Sequence, residues 1–135
     1  MKLKIENNEI KGCIREKKKN IIIPDGITSI GNSTFWGWTK LESITIPDSV
    51  TSVDGLAFYG CSSLTNIIIP DSVTSIGYAA FEDCTSLESI TIPDSVTFID
   101  SLAFEGCDNL VVHCNKGSYA EEYCVENGID YEVIE

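Results

Sequence analysis

Residues 67–87 read IIIPDSVTSIGYAAFEDCTSL, and this pattern recurs along the chain at a fixed step. The prolines that follow its first apolar segment lie 23 residues apart, at Pro24, Pro47, Pro70 and Pro93. The phenylalanines keep the same step, at Phe35, Phe58, Phe81 and Phe104. Four uninterrupted copies over residues 20–110 therefore predict a repeat protein.

Each copy is predicted to form one coil of a right-handed solenoid. Its I-x-I segment alternates and is β-branched, so successive coils should stack these segments as a parallel sheet with strands about 4.8 Å apart. The first and third isoleucines then face the core, and proline ends each strand because it has no amide hydrogen. We expect the return arm to point its Val, Ile, Ala, Phe, Cys and Leu positions inward and to close the coil with short 3₁₀ or irregular turns.

The period, the proline column and the Ala-Phe pair form a specific combination. The pattern L-x-x-I-x-I-P-x-x-V-x-x-I-x-x-x-A-F-x-x-C-x-x-L resembles the BspA-type leucine-rich repeat of bacterial surface proteins over residues 20–110. The stretch KGSYAE at residues 116–121 is similar to the tail that often ends such arrays. The resemblance implies a leucine-rich repeat fold in a secreted or surface-exposed protein that adheres to host matrix proteins or to other cells.

A second period of 46 residues lies over the first. Gly31 and Gly77 alternate with Asp54 and Asp100 at equivalent positions of the repeat. The outward position of the strand alternates between isoleucine and threonine in the same way. This doubling suggests recent duplication or deliberate construction of the array.

The two ends of the chain depart from the repeat, as they must to cover the apolar ends of a solenoid. Asn7-Asn8 lies between two alternating stretches and predicts a hairpin. After the last repeat we expect a strand, a short helix that begins with the Ser118/Glu121 capping box, and a final strand. The whole chain is thus predicted as one leucine-rich repeat domain, 1–135, with an N-terminal cap at 1–19, four repeats at 20–110 and a C-terminal cap at 111–135.

The charge of the chain is uneven. Residues 1–19 hold seven of the nine basic residues and three acidic ones, a net charge of +4, whereas residues 20–135 carry −16. An acidic body repels phosphate backbones, so the sequence indicates no nucleic-acid partner. No apolar run approaches the roughly 20 residues of a membrane span, which argues against membrane insertion. The first residues also lack the 7–15-residue apolar stretch of a secretory signal, so the residues alone leave the localisation open.

Cys61, Cys84 and Cys107 occupy one inward column, a role that Trp38 takes in the first repeat. Their Cβ bonds should run parallel, whereas a disulfide needs Cβ atoms that face each other at about 3.8 Å. We therefore predict buried free thiols. His113 and Cys114 are neighbours on a predicted strand and should point to opposite faces, which prevents a shared metal.

No residue combination indicates catalysis or a cofactor. The chain has one histidine, and its many Ser and Asp residues are explained by the turns. The Asp column is interpreted in this way too, with weak calcium binding as the alternative; it consists of Asp25, Asp48, Asp71 and Asp94.

The residues predicted to bind a partner are the middle residues of the strands, which must point away from the core. They are Ile22, Thr45, Ile68 and Thr91. The column beside them is uncharged. An uncharged, partly apolar surface on an acidic protein favours association with a partner. Trp36 and Tyr59 share the column after the Phe and are predicted as an exposed aromatic anchor, with packing against a neighbouring cap or loop as the alternative.

Together these features favour a non-catalytic protein-recognition module, with a protein or a second copy of the chain as the partner. The alternative is a purely structural or self-assembling repeat scaffold, including an engineered one. A carbohydrate ligand also stays open, because threonine-rich and aromatic surfaces serve both kinds of partner.

Overall fold

The computed structural model describes residues 2–14 and 18–134. This part of the chain consists of stacked coils that contain short strands and one helix. The strands are β1 (Lys2–Glu6), β2 (Glu9–Ile14), β3 (Asn20–Ile22), β4 (Ser29–Ile30), β5 (Ser43–Thr45), β6 (Ser52–Val53), β7 (Asn66–Ile68), β8 (Ser75–Ile76), β9 (Ser89–Thr91), β10 (Phe98–Ile99), β11 (Val111–Cys114) and β12 (Asp130–Val133). The helix is α1 (Tyr119–Asn127).

The strands predicted from the I-x-I segments are present and run parallel. We call β3, β5, β7, β9, β11 and β12 the front sheet. Equivalent residues of paired coils lie opposite each other, as Ile21 and Ile44 do. The isoleucines expected to face the core are at most 7% exposed, which confirms their inward orientation; they are Ile21, Ile23, Ile44, Ile46, Ile67, Ile69, Ile90 and Ile92.

The return arms contain a second parallel sheet that the repeat pattern did not predict. We call β1, β2, β4, β6, β8 and β10 the back sheet, which begins with the antiparallel hairpin β1–β2. Its repeat strands have two residues each, too few to show an alternating pattern. Threonine reinforces the stacking of these arms, because the amide and the hydroxyl of Thr51 both donate to the Thr28 carbonyl, at 2.7 and 3.1 Å.

After the back sheet, each coil passes through successive turns that place the Phe side chain in the core. The Phe58 amide donates to Ala80 of the next coil at 2.8 Å, whereas the Tyr59 amide donates back to Leu56 at 3.2 Å. This alternation confirms the irregular turns expected for the arm. It stacks the phenylalanine rings from coil to coil at centroid distances of 5.3, 5.2 and 5.6 Å; the rings are Phe35, Phe58, Phe81 and Phe104.

The turns need backbone in the left-handed region at two positions of every coil. The first position lies two residues before the Phe and has φ between 54° and 61° in the four coils, although none of its residues is glycine; they are Ser33, Leu56, Ala79 and Leu102. The second lies two residues after the Phe and is glycine in three coils and Asp83 in the other, with φ 60°. Side chains in this region cost about 1–2 kcal/mol relative to glycine.

The coil junctions are of two alternating kinds, which gives the 46-residue period a physical meaning. A Cβ atom at Gly77 would lie 2.5 Å from the backbone nitrogen of Gly55 in the preceding coil. The equivalent Asp54 and Asp100 have room for their side chains. On the opposite side of that same tight junction, the front sheet is interrupted between β5 and β7. The second and third coils are therefore close at the back and lack strand pairing at the front, and the single continuous sheet expected from the sequence is instead two ladders, β3–β5 and β7–β9–β11–β12.

Both predicted caps form in the described residues, although residues 15–17 of the N-terminal cap lie outside them. The hairpin turns at Asn7 and Asn8, both with positive φ, and its Ile10 carbonyl accepts a hydrogen bond from the hydroxyl of buried Thr34 at 2.8 Å. In the C-terminal cap, the Ser118 hydroxyl accepts from the Glu121 amide at 3.2 Å, and Gly128 ends α1 in the left-handed region. β11 and β12 then extend the front sheet beyond the last repeat.

Candidate recognition surface

The residues predicted to point outward from the front sheet form a row that we call the front strip: Ile22, Thr45, Ile68 and Thr91. Strand alternation directs them away from the core because the residues on either side are buried. Ile22 is 78% exposed and Ile68 is 69% exposed. Ile22 lies opposite Thr45, and Ile68 lies opposite Thr91. The fold therefore places these four residues on one face of the molecule.

The surface column next to the front strip is uncharged. Its neighbouring column contains Asn20, Ser43, Asn66 and Ser89, and within it the Ser43 hydroxyl donates to the Asn20 side-chain oxygen at 2.5 Å. Exposed carboxylates flank the strands on both sides, since Glu42 and Glu88 precede them and Asp48 and Asp71 follow them. The front strip is thus a neutral, partly apolar row with an acidic margin.

A groove of about 530 Å³ opens in this face between β5 and β7. Its walls include Thr45, Ile68 and Thr91 of the front strip, together with Asp48 and Asp71. At the paired junctions the Ile23 amide donates to Thr45 and the Ile69 amide donates to Thr91, both at 3.0 Å. Among the described hydrogen bonds no equivalent one joins Ile46 to Ile68. The groove therefore offers apolar side chains, carboxylates and backbone polar groups in one place.

Sequence reasoning missed this groove, although a signal for it existed. β3 and β7 read NII, whereas β5 and β9 read SIT. Each NII strand pairs with the SIT strand of the next coil, as β3 does with β5 and β7 with β9. The SIT strand β5 does not pair with the NII strand β7 that follows it. The 46-residue period thus marks the boundary at which the front sheet opens.

The second predicted binding feature, Trp36 and Tyr59, forms a stacked aromatic pair. The rings are 5.9 Å apart at their centroids, with 9° between their planes. Trp36 is 48% exposed, and the Tyr59 hydroxyl donates to Asp83 Oδ2 at 3.3 Å. The negative charge of Asp83 raises the pKa of Tyr59 above its ordinary value of 10.0, which favours the protonated phenol that donates this bond. The pair is thus a half-exposed stacked aromatic surface whose Tyr59 hydroxyl is fixed by a carboxylate.

The front strip and the aromatic pair occupy different arms of the coil. The front strip lies on the strands that precede each proline, and the pair lies on the turns that follow each buried Phe. The groove between β5 and β7 is lined by members of the front strip and not by Trp36 or Tyr59. A partner that used both would have to wrap around an edge of the solenoid.

The cysteine column lies in the core and completes the backbone bonding between coils. Cys61 donates its thiol to the Phe35 carbonyl at 3.2 Å, and Cys84 donates to the Phe58 carbonyl at 3.1 Å. The neighbouring Cys107 thiol and burial raise the pKa of Cys84, so it stays protonated. Cys61 and Cys84 are therefore buried free thiols that act as donors in the core, as predicted, whereas Cys107 is only half-buried and the Cys84 thiol lowers its pKa.

Among the features considered for metals and catalysis, only Asp48 and Asp71 of the Asp column belong to the surfaces described above. His113 is on β11, with its Nδ1 at 3.6 Å from Glu132 Oε1, while the adjacent Cys114 is buried on the other side of the strand, as expected. The Asp column is exposed, and Asp94 accepts a hydrogen bond from Asn115 at 3.1 Å. In the described ranges no three His, Cys, Asp or Glu side chains are grouped as metal ligands. The same ranges contain no helix of the length and apolarity needed to cross a membrane.

Solved structures of bacterial leucine-rich repeat proteins share this fold. A protein from Bacteroides capillosus is 28% identical with a TM-score of 0.71, and the match covers 79% of this chain and 86% of that one. A protein of T. pallidum is 28% identical with a TM-score of 0.65 over 78% of this chain, which spans only 62% of the T. pallidum protein. A leucine-rich cell surface protein of Faecalibacterium prausnitzii is 25% identical with a TM-score of 0.62, over 90% of this chain and 38% of that one.

The family assignment rests on the repeat itself. No curated protein matches the chain in sequence. The model of the BspA-type leucine-rich repeat region matches residues 4–126 with six copies, a range that takes in both the four predicted repeats and parts of the two caps. Repeats of this kind build recognition or surface modules from stacked coils with extended faces for binding. The chain belongs to the BspA-type leucine-rich repeat family.

Proposed function

We propose that the chain, acting as one domain over residues 1–135, is a non-catalytic protein-recognition module that binds its partner through the front strip. The supporting observation is the exposure of Ile22 and Ile68, at 78% and 69%, on a protein whose net charge is −12. Burying a fully exposed Ile side chain contributes about 1.5–3 kcal/mol. Two such side chains on one uncharged row are suited to the apolar centre of an interface.

The surroundings of the front strip favour a protein partner of a particular chemistry. Its contact patch would be apolar, with Lys or Arg side chains placed to reach Asp48 and Asp71 at the margin of the groove. Long-range attraction to the acidic body would speed the encounter with such a basic surface. The stacked pair of Trp36 and Tyr59 is a second anchor, because Trp36 is 48% exposed and aromatic side chains often dominate the binding energy of an interface.

We further propose that the protein works at the cell surface as an adhesin-like module whose partners are host matrix or cell-surface proteins. The likeness to the Faecalibacterium prausnitzii cell surface protein, at 25% identity, supports this location. Partner surfaces rich in Lys and Arg would complement the acidic body described above.

Binding to a panel of immobilised matrix proteins and cell-surface ectodomains tests the proposal. Ile68→Lys should weaken binding about tenfold or more, since it puts a long charged side chain into the apolar row. Val125→Lys is the matched control: Val125 is 63% exposed on α1, away from the front strip, and its replacement should leave affinity unchanged. Equal binding by the parent and Ile68→Lys would refute the role of the front strip. Binding confined to a glycan array would replace the protein partner with a carbohydrate.

A further inference from the structure

The first strand of the front sheet has an unused edge. β3 pairs with β5 on one side, where the Ile23 amide donates to Thr45 and the Lys19 carbonyl accepts from Glu42. Alternate residues of a parallel strand bond to opposite neighbours, so the backbone groups of Asn20 and Ile22 point to the other side. In the described part of the chain, no strand pairs with that side of β3. This edge is therefore a template for a further parallel strand.

A slot lies along this edge. The hairpin covers the back sheet through the pairing of β2 with β4, but it stands apart from β3 on the front side. Between them lies a cavity of about 460 Å³, lined by Leu3 and Ile5 of β1, by Ile21 of β3 and by Lys18. Ile5 is 49% exposed there. The slot has an apolar floor, backbone groups along one wall and a basic side chain at its rim.

The other end of the front sheet presents a strand that complements the slot. β12 pairs with β11 so that Tyr131 and Val133 continue the inward columns of the coils, opposite Val112 and Cys114. Val133 is nevertheless 45% exposed, because no further coil of the described chain covers it. β12 is thus the outermost strand at this side of the described front sheet, and it carries the inward-type side chain Val133 half exposed.

The two ends have opposite charge. Residues 1–19 carry a net charge of +4, and both Lys18 and Lys19 are exposed. Residues 116–135 contain six acidic residues and one lysine, a net charge of −5. An association of two basic ends would be repulsive, as would one of two acidic ends. Contact between unlike ends is attractive and keeps the strands parallel.

We propose that copies of this chain associate head to tail, with β12 of one copy added as a parallel strand to β3 of the next. Tyr131 and Val133 of the first copy would then pack over Ile21 in the slot, and Glu132 would lie near Lys18. Such a contact is heterologous, so it continues from copy to copy and produces open chains and not closed dimers. It uses the backbone of β3, whose Ile22 side chain belongs to the front strip, so Ile68 on β7 is the front-strip residue that distinguishes the two contacts.

Sedimentation velocity over a wide range of concentration tests the association. The parent should form oligomers that grow with concentration and weaken at high salt, since the ends attract through charge. Val133→Glu blocks the tail, and Ile5→Glu blocks the slot; each should weaken association about tenfold or more, because an inward charge disfavours edge pairing. Val125→Glu, on exposed α1, is the matched control and should associate like the parent.

Mixing the two blocked variants distinguishes this geometry from any other. The Ile5→Glu copy keeps a working tail and the Val133→Glu copy keeps a working slot, so the mixture should yield a one-to-one dimer and nothing larger. A synthetic peptide of residues 128–135 should bind the Val133→Glu copy and prevent that dimer. A parent that stays monomeric and does not bind the peptide would overturn the proposal. So would oligomers that persist in both blocked variants but are lost in Ile68→Lys, which would place the contact on the front strip.

Discussion

Replacing Phe81 with alanine should remove a large share of the stability of this protein. Phe81 is fully buried, and its ring is stacked between Phe58 at 5.2 Å and Phe104 at 5.6 Å, nearly parallel to both. Truncating a buried Phe to Ala costs about 3–5 kcal/mol, and the loss of two ring contacts of about 0.5–1.5 kcal/mol each puts Phe81 at the upper end of that range. Because domains of this kind are stable by about 5–15 kcal/mol, the variant should lose a third or more of its free energy of unfolding.

Urea unfolding followed by circular dichroism measures this loss. Phe98→Ala is the matched control, since Phe98 lies on the surface of β10 with 52% exposure and should cost about 1 kcal/mol or less. If Phe81→Ala cannot fold, Phe81→Leu keeps most of the volume and should cost about 1.5 kcal/mol. A Phe81→Ala variant as stable as Phe98→Ala would refute the continuous ring stack as a source of stability.

Three further predictions concern backbone strain, thiols and charge. Leu102 has φ 61°, so Leu102→Gly should be about 1 kcal/mol more stable than Leu102→Ala, the reverse of the order at an ordinary position; equal thermal midpoints would contradict this strain. Cys61 and Cys84 should react slowly with a thiol reagent in the native state because they are buried donors, whereas half-buried Cys107 should react faster, and all three should react fully after unfolding without reductant; thiols missing from the unfolded count would reverse the packing argument. Burial and nearby carboxylates raise the pKa of Glu82 in the folded protein. The contribution of Glu82 to stability should therefore fall as the pH rises from the pKa of an unfolded glutamate, about 4.3, through the raised pKa of the folded state. Glu82→Gln should match the parent below that window and be more stable above it, by at most about 1 kcal/mol; identical pH profiles would exclude the effect.

The alternation and the 23-residue step were sufficient to predict the front strands and the buried columns. Ile21 and Ile67 occupy equivalent positions of the repeat. Because a strand has only two faces, the alternation of side chains indicates which face is apolar and therefore buried. The back sheet could not be predicted in this way, since a strand such as Ser52–Val53 has two residues and no period. The positive φ of Leu56 was also hidden, because leucine gives no signal for the left-handed region.

The candidate surface was predictable in composition but not in shape. The outward positions of Ile22 and Ile68 follow from the pattern, and so does their uncharged setting. The groove between β5 and β7 depends instead on how closely Gly77 approaches Gly55 on the far side of the coils. The distance between these two glycines is set by the packing of whole coils. In the sequence, only the alternation of glycine with aspartate indicates it.

The alternating junctions also determine how such an array can change in length and in valency. Losing a single coil from the middle would bring two coils of the same kind together, and an aspartate in place of Gly77 would collide with the preceding backbone. Gain or loss of two adjacent coils preserves every junction. Each added pair would create one more opening in the front sheet, about two strand spacings or 10 Å from the last. A longer array of this design would therefore carry grooves of this kind at regular intervals along the front sheet. Such an array would suit a partner that repeats its own contact segment.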